Sequence, residues 1–373
     1  MPRHVVVIGG GAVGASVTYF LSKKNPDLKI TVVEKTGIAQ AASGKSGGFL
    51  ALDWCDSSEL GPIARKSFQL HEQLAKELDG ASYGYRRVDA FDVTFATPDT
   101  GKDLPNVAWI NNKRVSYSDL IGTTNTCAQV HPFKFTNALI DDAKVRGVKV
   151  MCGQGVKELI LDNTSGQLNG VILDDDSIIE ADAVVVCMGP WSGRLPIQST
   201  GTHITCLPIS GARAHSIVMK PHSELPPQAI FTHTLLDGMH HHPEIYPRPD
   251  STVYMCGGLD DEPLPPSAAE VKVNANSIDI IQQLSAMASP SHLDGAEILI
   301  RQACYLPNSN DGLPLIGEYP GISGLYVGTG HSCWGILNSP ATGLMLSELI
   351  LDKQIKCVPE TAVEAVSLKD RCC

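Results

Sequence analysis

The segment His4-Val5-Val6-Val7-Ile8-Gly9-Gly10-Gly11-Ala12-Val13-Gly14 decides the fold of this chain. It begins as a short β-branched run, predicted as a strand, and continues into the pattern Gly9-x-Gly11-x-x-Gly14. A helical pattern follows to Lys24, and a second β run from Leu28 to Val33 ends at Glu34. Strand, glycine turn, helix and strand in this order predict the opening of a parallel α/β sheet.

Each glycine of this turn has a physical role in binding a dinucleotide. Gly9 permits the tight turn, Gly11 lets the backbone approach a pyrophosphate, and Gly14 lets the helix pack closely on the sheet. The helix N-terminus stabilises the phosphate charge. Glu34, 20 residues after Gly14, is placed to accept hydrogen bonds from ribose hydroxyls and to repel a 2′-phosphate. The spacing favours a dinucleotide site over a tight turn without a ligand.

Length and composition exclude several classes of protein. A chain of 373 residues predicts about two to three domains. Its 29 basic and 40 acidic residues give a net charge of −11 without a basic block, which argues against nucleic acid as a partner. No apolar run is long enough for a membrane span or a secretory signal. Eleven scattered cysteines without a CxxC pair predict free thiols, a cytoplasmic location and no metal site.

A loop rich in glycine and serine follows Glu34 and indicates which dinucleotide binds. Flavin enzymes place such small residues beside the flavin ring system, and Ser43, Ser46, Gly47 and Gly48 suit a close backbone approach. Lys45 is placed to face the phosphates. A flexible surface loop is the alternative interpretation.

Later motifs carry a resemblance to a known family. They are the strand Val184–Gly189 with Trp191, the segment Asn310-Asp311-Gly312-Leu313-Pro314-Leu315-Ile316-Gly317, and Gly328-x-Gly330-His331-x-x-x-Gly335-Ile336. With the first turn, Glu34 and the loop, they resemble the D-amino acid oxidase (DAO) superfamily over residues 1–352. The branch that they resemble contains glycine, sarcosine and N-methyl amino acid oxidases.

The resemblance implies an α/β fold: a Rossmann-like FAD-binding domain of the glutathione reductase type with an inserted mixed β-sheet substrate domain. We expect the FAD-binding domain over 1–84, 135–204 and 301–353, the substrate domain over 85–134 and 205–300, and a C-terminal tail over 354–373. FAD would bind in an extended pose, with the backbone of Val156 at the adenine and the loop from Gly330 to Leu337 over the flavin pyrimidine. The predicted FAD-binding residues are Gly9, Gly11, Val13, Gly14, Glu34, Lys35, Ser43, Lys45, Ser46, Gly47, Gly48, Val156, Gly189, Trp191, Cys304, Gly330, Gly335, Ile336 and Leu337.

Three departures from the family pattern affect the expected chemistry. Glycine oxidases resemble this chain but carry arginines that clamp the substrate carboxylate; those positions are Leu306 and Cys333 here. Sarcosine oxidases carry a lysine near flavin N5, and the matching segment Tyr246 to Gly258 has none. These differences point away from glycine, towards a larger or N-alkylated amine or one without a free carboxylate, and leave the electron acceptor open.

Two groups of cysteines allow alternative interpretations. Cys304 matches the spacing of the thiol that monomeric sarcosine oxidases attach covalently to the flavin, but cysteine is also a common buried packing residue. Cys372-Cys373 could carry a lipid, although without a CaaX box or a polybasic run a frayed tail is the favoured interpretation.

Four residues are candidates for substrate contact. Tyr246 matches a strand that carries an active-site tyrosine in the relatives, and Arg213 could replace the missing positive charge. His331 and Trp334 are predicted to form the pocket wall on the flavin-covering loop. The alternatives are that Tyr246 is an ordinary strand aromatic, that Arg213 is a sheet-face residue in a salt bridge, and that His331 and Trp334 only support the flavin. Consecutive His240-His241-His242 cannot all aim at one ion, and no metal site is predicted.

The sequence therefore predicts an FAD-dependent oxidoreductase that oxidises the C–N bond of a small amine or amino acid. Hydride would pass to the flavin, the imine would hydrolyse, and oxygen or another acceptor would reoxidise the flavin. The alternative is an FAD-stabilised binding or trafficking protein with little turnover. The oligomeric state is left open.

Overall fold

The computed structural model describes residues 1–96, 107–162, 166–198 and 204–371. Its α-helices are α1 (Ala12–Lys24), α2 (Ala42–Lys45), α3 (Gly61–Glu77), α4 (Pro132–Val145), α5 (Ala275–Ala288), α6 (Pro290–Leu293), α7 (Gly335–Asp352) and α8 (Glu360–Val366). Its strands are β1 (His4–Ile8), β2 (Lys29–Glu34), β3 (Phe49–Ala51), β4 (Arg86–Arg87), β5 (Asp89–Phe95), β6 (Val115–Gly122), β7 (Cys127–Gln129), β8 (Lys149–Cys152), β9 (Val156–Leu161), β10 (Leu168–Leu173), β11 (Ile178–Glu180), β12 (Ala183–Val186), β13 (Ile197–Gln198), β14 (Ile204–Thr205), β15 (Ile209–Lys220), β16 (Gln228–Leu236), β17 (Met239–His241), β18 (Glu244–Pro247), β19 (Val253–Asp260), β20 (Glu297–Ser309), β21 (Leu315–Glu318) and β22 (Leu325–Thr329).

A six-stranded sheet in the order β21-β22-β12-β1-β2-β8 holds the N-terminal turn. Its neighbours are parallel except for the β21–β22 pair. Strands β1 and β12 are buried on both faces, which explains their uninterrupted apolar sequence. Helices α1, α3, α4 and α7 cover one face, and the small sheet of β9, β10 and β11 covers the other.

A second sheet of eight strands provides the other main layer. Its order is β20-β15-β19-β18-β16-β5-β6, with β17 paired to β16. All of these pairs are antiparallel except β16–β5, so the sheet is mixed. Helices α5 and α6 share an apolar core with one face. The opposite face carries Tyr246 and Tyr254, which pack with Phe49 and Trp54 from the N-terminal part of the chain. Two sheets of these kinds confirm the predicted α/β fold class.

The chain passes repeatedly between the two sheets. The parallel sheet takes strands from the beginning, the middle and the end of the chain, while β5, β6 and β15 to β20 form the mixed sheet. Strand β20 runs to Ser309 and thus crosses the predicted domain limit at residue 301.

One predicted helix begins later than expected. The sequence predicts one helix over about 268–287 within a β-rich block, but α5 begins at Ala275 after a separate short turn at Ala268–Glu270. The Oδ1 atom of Asn274 accepts a hydrogen bond from the Ser277 amide at 3.3 Å and caps α5 there. The prediction missed this N-cap signal.

The predicted C-terminal tail over 354–373 is described by the structure up to Arg371. It contains α8, and the guanidinium of Arg371 donates to Oδ1 of Asp311 and to the Leu313 carbonyl, both at 2.7 Å. These contacts hold the described part of the predicted C-terminal tail against the segment before β21. Cys372 and Cys373 lie outside the described residues.

Candidate cofactor and substrate site

The glycine turn is shaped by backbone contacts that exclude larger residues. Gly9 has a φ of +107°, and a Cβ there would lie 2.3 Å from the Cys187 carbonyl oxygen. A Cβ on Gly14 would lie 2.0 Å from the Gly9 carbonyl oxygen. These two glycines bring β1, α1 and the end of β12 together, as expected for a dinucleotide-binding turn.

Gly11 opens the N-terminus of α1 to the neighbouring cleft. A Cβ on Gly11 would lie 3.0 Å from Ser43 Oγ, and Gly11 itself lines the cleft. Ser43 Oγ accepts a hydrogen bond from the Ala12 amide at 2.8 Å, which ties the small-residue loop to the turn. The missing side chain leaves space for a ligand next to exposed backbone, and the helix dipole there favours an anion.

Glu34 ends β2 with its carboxylate held in place beside the same turn. Its Oε2 accepts from the Gly10 amide at 2.7 Å, and Oε1 accepts from the amide and hydroxyl of Thr36 at 2.8 Å. The residue is half-buried and lines the cleft. Carboxylate oxygens retain further lone pairs, so Glu34 fits a partner with hydroxyl groups such as a ribose.

A cleft of about 380 Å³ runs between the two sheets, from Glu34 and Val156 at one end to Cys304 and Cys333 at the other. The lining takes in residues at the carboxyl ends of β1, β2 and β12 as well as residues of β20, which suits an extended dinucleotide. The predicted cofactor residues that line it are Gly9, Gly11, Val13, Glu34, Lys35, Ser43, Ser46, Val156, Gly189, Trp191, Cys304, Gly335 and Ile336.

The remaining predicted cofactor residues do not line the cleft; they are Gly14, Lys45, Gly47, Gly48, Gly330 and Leu337. The sequence reasoning missed other lining residues, among them Thr36, Ala42, Met188, Arg194 and Thr329. Three of them could have been indicated by their positions, because ligands of parallel sheets bind at the carboxyl ends of strands: Thr36 and Met188 lie two residues after β2 and β12, and Thr329 ends β22.

Lys45 does not face the phosphate end of the cleft as predicted. The loop forms the short helix α2, and Lys45 Nζ donates to the Ala303 carbonyl on β20 at 3.1 Å. Burial lowers the pKa of this amine, and the neighbouring Cys304 opposes that shift. The prediction overlooked that a helical turn rotates Lys45 away from Ser43 and towards the mixed sheet.

Gly47 lets the loop approach the aromatic face of the mixed sheet. A Cβ on Gly47 would lie 2.3 Å from Cε2 of Tyr246. The Ser46 carbonyl accepts a hydrogen bond from the Arg248 guanidinium at 3.1 Å. The loop therefore supports the substrate side of the cleft rather than lying free on the surface.

Cys304 occupies the far end of the cleft on β20. The residue is 7% exposed, and burial raises the pKa of its thiol to about 11, with Lys45 opposing that rise. It lines the cleft, and its contact with the cofactor stays a prediction.

The loop before α7 brings His331 and Cys333 to the cleft wall. His331 Nε2 lies 2.9 Å from Thr342 Oγ1, and burial lowers the pKa of the imidazole to about 4. The ring is therefore neutral at physiological pH. Trp334 does not line the cleft; its ring packs edge-on against Trp54, with centroids 6.4 Å apart.

Arg213 and Tyr246 are engaged elsewhere and do not line the cleft. The Arg213 guanidinium donates to both carboxylate oxygens of Asp260, at 2.7 and 2.8 Å, and to the Lys272 carbonyl. The Tyr246 hydroxyl donates to Glu244 Oε2 at 2.5 Å. Arg213 is thus bound in a bidentate way to Asp260 away from the cleft, and its proposed role as a substrate ligand stays a prediction that this pairing does not favour.

Glu244 is a further residue near the site that was not predicted from the sequence. It lies two positions before Tyr246 on β18, and alternation along a strand places both on the same face. A carboxylate in an otherwise apolar strand was the available signal. Leu306 and Cys333, at the positions of the family's arginines, both line the cleft.

The cleft contains few basic residues, and those present have partners. The Arg194 guanidinium donates to the carbonyls of Leu264 and Pro265, and Lys35 Nζ lies 3.2 Å from an Asp174 carboxylate oxygen. Within the described ranges, no group of three or more His, Cys, Asp or Glu residues could hold a metal ion. Among those same residues, no helix is both long and apolar enough to cross a membrane.

Comparison with known proteins assigns this fold and cleft to a class. A sequence model of the DAO family, described as FAD dependent oxidoreductase, matches residues 4–349. An oxidoreductase of Schizosaccharomyces pombe, whose name specifies no substrate, is 37% identical, with 94% of each chain covered. Glycine oxidase of Bacillus subtilis is 25% identical, with 95% of each chain covered. The structure of glycine oxidase from Geobacillus kaustophilus superposes with a TM-score of 0.79 at 21% identity and covers 99% of each chain.

The fold and the cleft are those of a flavin-dependent oxidoreductase. The chain belongs to the DAO family of FAD-dependent oxidoreductases, and its cofactor is FAD. The residues present fit this cofactor: the glycine cradle at α1, the held carboxylate of Glu34 and the cleft that both of them line suit a dinucleotide such as FAD.

Proposed function

We propose that the protein oxidises a C–N bond of a small amine or amino acid to an imine, which water then hydrolyses. FAD, when bound, supplies a two-electron acceptor for the hydride that leaves the substrate carbon. Membership in a family whose relatives include glycine oxidases supports this chemistry.

The N-terminal turn and Glu34 would hold the adenosine and pyrophosphate part of the cofactor. Gly11 and the first turn of α1 offer backbone and a positive helix end, and Glu34 offers acceptors for hydroxyl groups. Lys35 and Val156 border the same end of the cleft. This end would bind and orient without taking part in the reaction.

The opposite end of the cleft would hold the reacting part of the site. His331, which is neutral and bonded to Thr342, would position the loop before α7. The N-terminus of α7 follows directly, and its dipole favours negative charge next to it. The partly buried aromatic rings of Phe49, Trp54 and Phe231 would limit water at the substrate.

This chain lacks the two arginines with which glycine oxidases bind the substrate carboxylate. Their absence favours a substrate that is held in another way. Leu306 and Cys333 provide neutral side chains at the wall. Arg213, the candidate for replacing the family's arginines, forms a bidentate ion pair with Asp260. We therefore propose that the substrate is larger than glycine or lacks a free carboxylate.

A panel of amines tests this proposal with the purified holoprotein. The panel contains glycine, sarcosine, D-amino acids, N-methyl amino acids, and primary and secondary alkylamines, and the readouts are peroxide in air and reduction of an artificial electron acceptor without air. We expect at least one amine without an α-carboxylate to react faster than glycine. Turnover of glycine alone would contradict the proposed substrate class.

A second candidate is an FAD-stabilised binding or trafficking protein with little turnover. The missing arginines and the absence of a lysine between Tyr246 and Gly258 favour it. Retention of FAD with no reaction towards any panel member or acceptor would support this alternative.

We also propose a cytoplasmic location for this chemistry. The nine cysteines among the described residues are free thiols, which agrees with a reducing compartment. Fractionation of cells with an antibody against the chain tests this location.

A further inference from the structure

Glu244 stands on the face of the mixed sheet that is turned towards the N-terminal part of the chain. Its register partners are Cys256 on β19 and Phe231 on β16. Tyr246 and Tyr254 occupy the adjacent paired positions of this face. The carboxylate therefore lies in the same layer as the aromatic rings beside the cleft.

The two hydrogen-bond donors to Glu244 are neutral groups, and both bonds engage the same carboxyl oxygen. Oε2 accepts from the Tyr246 hydroxyl at 2.5 Å and from Cys256 Sγ at 3.6 Å. Within the described part of the chain, no lysine, arginine or histidine forms an ion pair with this carboxylate. Burial raises the pKa of the carboxyl, and the two hydrogen bonds oppose that rise. A carboxylate in such a place lacks a counter-charge that a ligand could supply.

Aromatic rings surround this carboxylate in a way that suits a cation. Phe231 is its cross-strand neighbour, and the Phe231 ring lies 5.0 Å from Phe49 and 4.9 Å from Trp54 between centroids. These three aromatic residues each keep accessible surface. Aromatic faces attract ammonium groups, and a carboxylate next to them adds a charged hydrogen-bond acceptor.

The aromatic group beside Glu244 meets the cleft wall at the loop before α7, where Trp54 packs on Trp334. Cys333 lines the cleft, and its thiol pKa is raised by burial and further by the negative charge of Glu244. Trp334 is the next residue along the chain. The aromatic group around Glu244 thus adjoins the end of the cleft where the proposed reaction takes place.

We infer that Glu244, with Phe231 and Trp54, binds a protonated nitrogen of the substrate, and that the substrate class is a diamine or polyamine rather than an α-amino acid. This inference rests on the proposed function and specifies its substrate. Two observations support it: the neutral residues Leu306 and Cys333 line the cleft at the positions of the family's arginines, and the Glu244 carboxyl group on the neighbouring sheet face has no ion pair within the described part of the chain. A substrate carboxylate at this position would be repelled, whereas an ammonium group would neutralise the buried charge.

Binding is best measured apart from turnover, by calorimetry on the holoprotein after its FAD has been reduced without air. Three probes of equal chain length differ only at one end: butane-1,4-diamine, butylamine and 4-aminobutanoate. We expect the diamine to bind about 10-fold or more tighter than butylamine, and 4-aminobutanoate to bind weakest.

The variant Glu244→Gln should weaken binding of the diamine by about 10- to 100-fold and reduce its preference over butylamine, because the second ammonium group of the diamine loses its charged partner. Glu297→Gln, an exposed glutamate at the start of β20, is the matched control and should behave as the wild type. Phe231→Leu, which keeps the Glu244 carboxylate, should also weaken binding of the diamine. FAD content and the visible spectrum are recorded for every variant.

Equal binding of the diamine and butylamine to the wild type would overturn the inference, as would an unchanged diamine preference in Glu244→Gln with full FAD content. A different outcome would contradict the proposed function but not the binding inference. If the diamine binds through Glu244 but no amine reduces the oxidised protein, the binding inference stands without the oxidation.

Discussion

At the scale of single residues, the cofactor site depends on atoms that are missing as much as on atoms that are present. Gly11 has no side chain where its Cβ would point at Ser43 Oγ and the cleft. Glu34, in contrast, has its carboxylate fixed by Gly10 and Thr36 before any ligand arrives. Space at one residue and a preformed acceptor at the other together define where a dinucleotide fits.

Replacing Gly11 by valine should abolish FAD binding. Its side chain would enter the cleft next to the helix N-terminus, so we expect more than about a 100-fold loss of affinity, measured by reconstitution of the apoprotein with FAD. Gly11→Ala, with its Cβ 3.0 Å from Ser43 Oγ, should lose less. Full FAD occupancy in Gly11→Val would contradict the assigned position of the cofactor.

We predict that Cys304 does not attach FAD covalently. Burial raises its thiol pKa to about 11, and Lys45 does not cancel that rise, so only a small fraction is thiolate at pH 7.5. After acid precipitation the yellow colour should stay in the supernatant. Colour in the pellet that disappears in Cys304→Ala would show the opposite.

At the scale of elements, the packing of α7 against α1 positions the cofactor turn. A Cβ on Gly343 of α7 would lie 2.5 Å from the backbone carbon of Ser16 in α1. The two helices cross at this point without room for a methyl group. Because α1 begins at the glycine turn, its position relative to the sheet is set partly by this contact.

Gly343→Ala should therefore destabilise the fold by about 1–3 kcal/mol and weaken FAD binding. The measurements are urea unfolding of the apoprotein and FAD titration. Gly257→Ala is the matched control, since a Cβ there would meet its nearest atom, in Pro243, at an ordinary 3.5 Å. Equal stability of the two variants would refute the role assigned to the crossing.

The elements also show which features a sequence can predict. The glycine turn, Glu34 and the buried strand β12 were predicted because local patterns define them. The orientation of Lys45 and the pairing of Arg213 with Asp260 were missed, because a strand or helix pattern does not say which distant carbonyl or carboxylate lies opposite. Glu244 was missed for the same reason: its aromatic surroundings come from separate parts of the chain.

At the scale of the whole molecule, buried neutral histidines link stability to pH. Burial lowers the pKa of His71, His131 and His331 to about 4 each; charges of Arg248 and Lys134 add to the effect at His131, and backbone hydrogen bonds oppose it at His71. In the unfolded chain a histidine has a pKa of about 6.5 and takes up a proton below that value. The folded state therefore binds fewer protons than the unfolded state between pH 6.5 and 4.

The stability that these histidines contribute should be fully present above pH 6.5, and the free energy of unfolding should fall as the pH drops towards 4. Each histidine contributes up to about 1.4 kcal/mol per pH unit within that window. Urea unfolding at several pH values measures the slope, and His71→Gln, which has no proton to gain there, should reduce it. Stability that rises from pH 6.5 to 4.5 would contradict the assignment of neutral, buried histidines.

One measurement tests the proposed oxidation of an amine most directly. The oxidised holoprotein is mixed with alkylamines and diamines in the absence of oxygen, and the visible flavin absorbance is recorded together with the carbonyl product. The account predicts loss of that absorbance with one equivalent of aldehyde or ketone per FAD. Unchanged absorbance with every amine, in a protein that dithionite reduces normally, would contradict it.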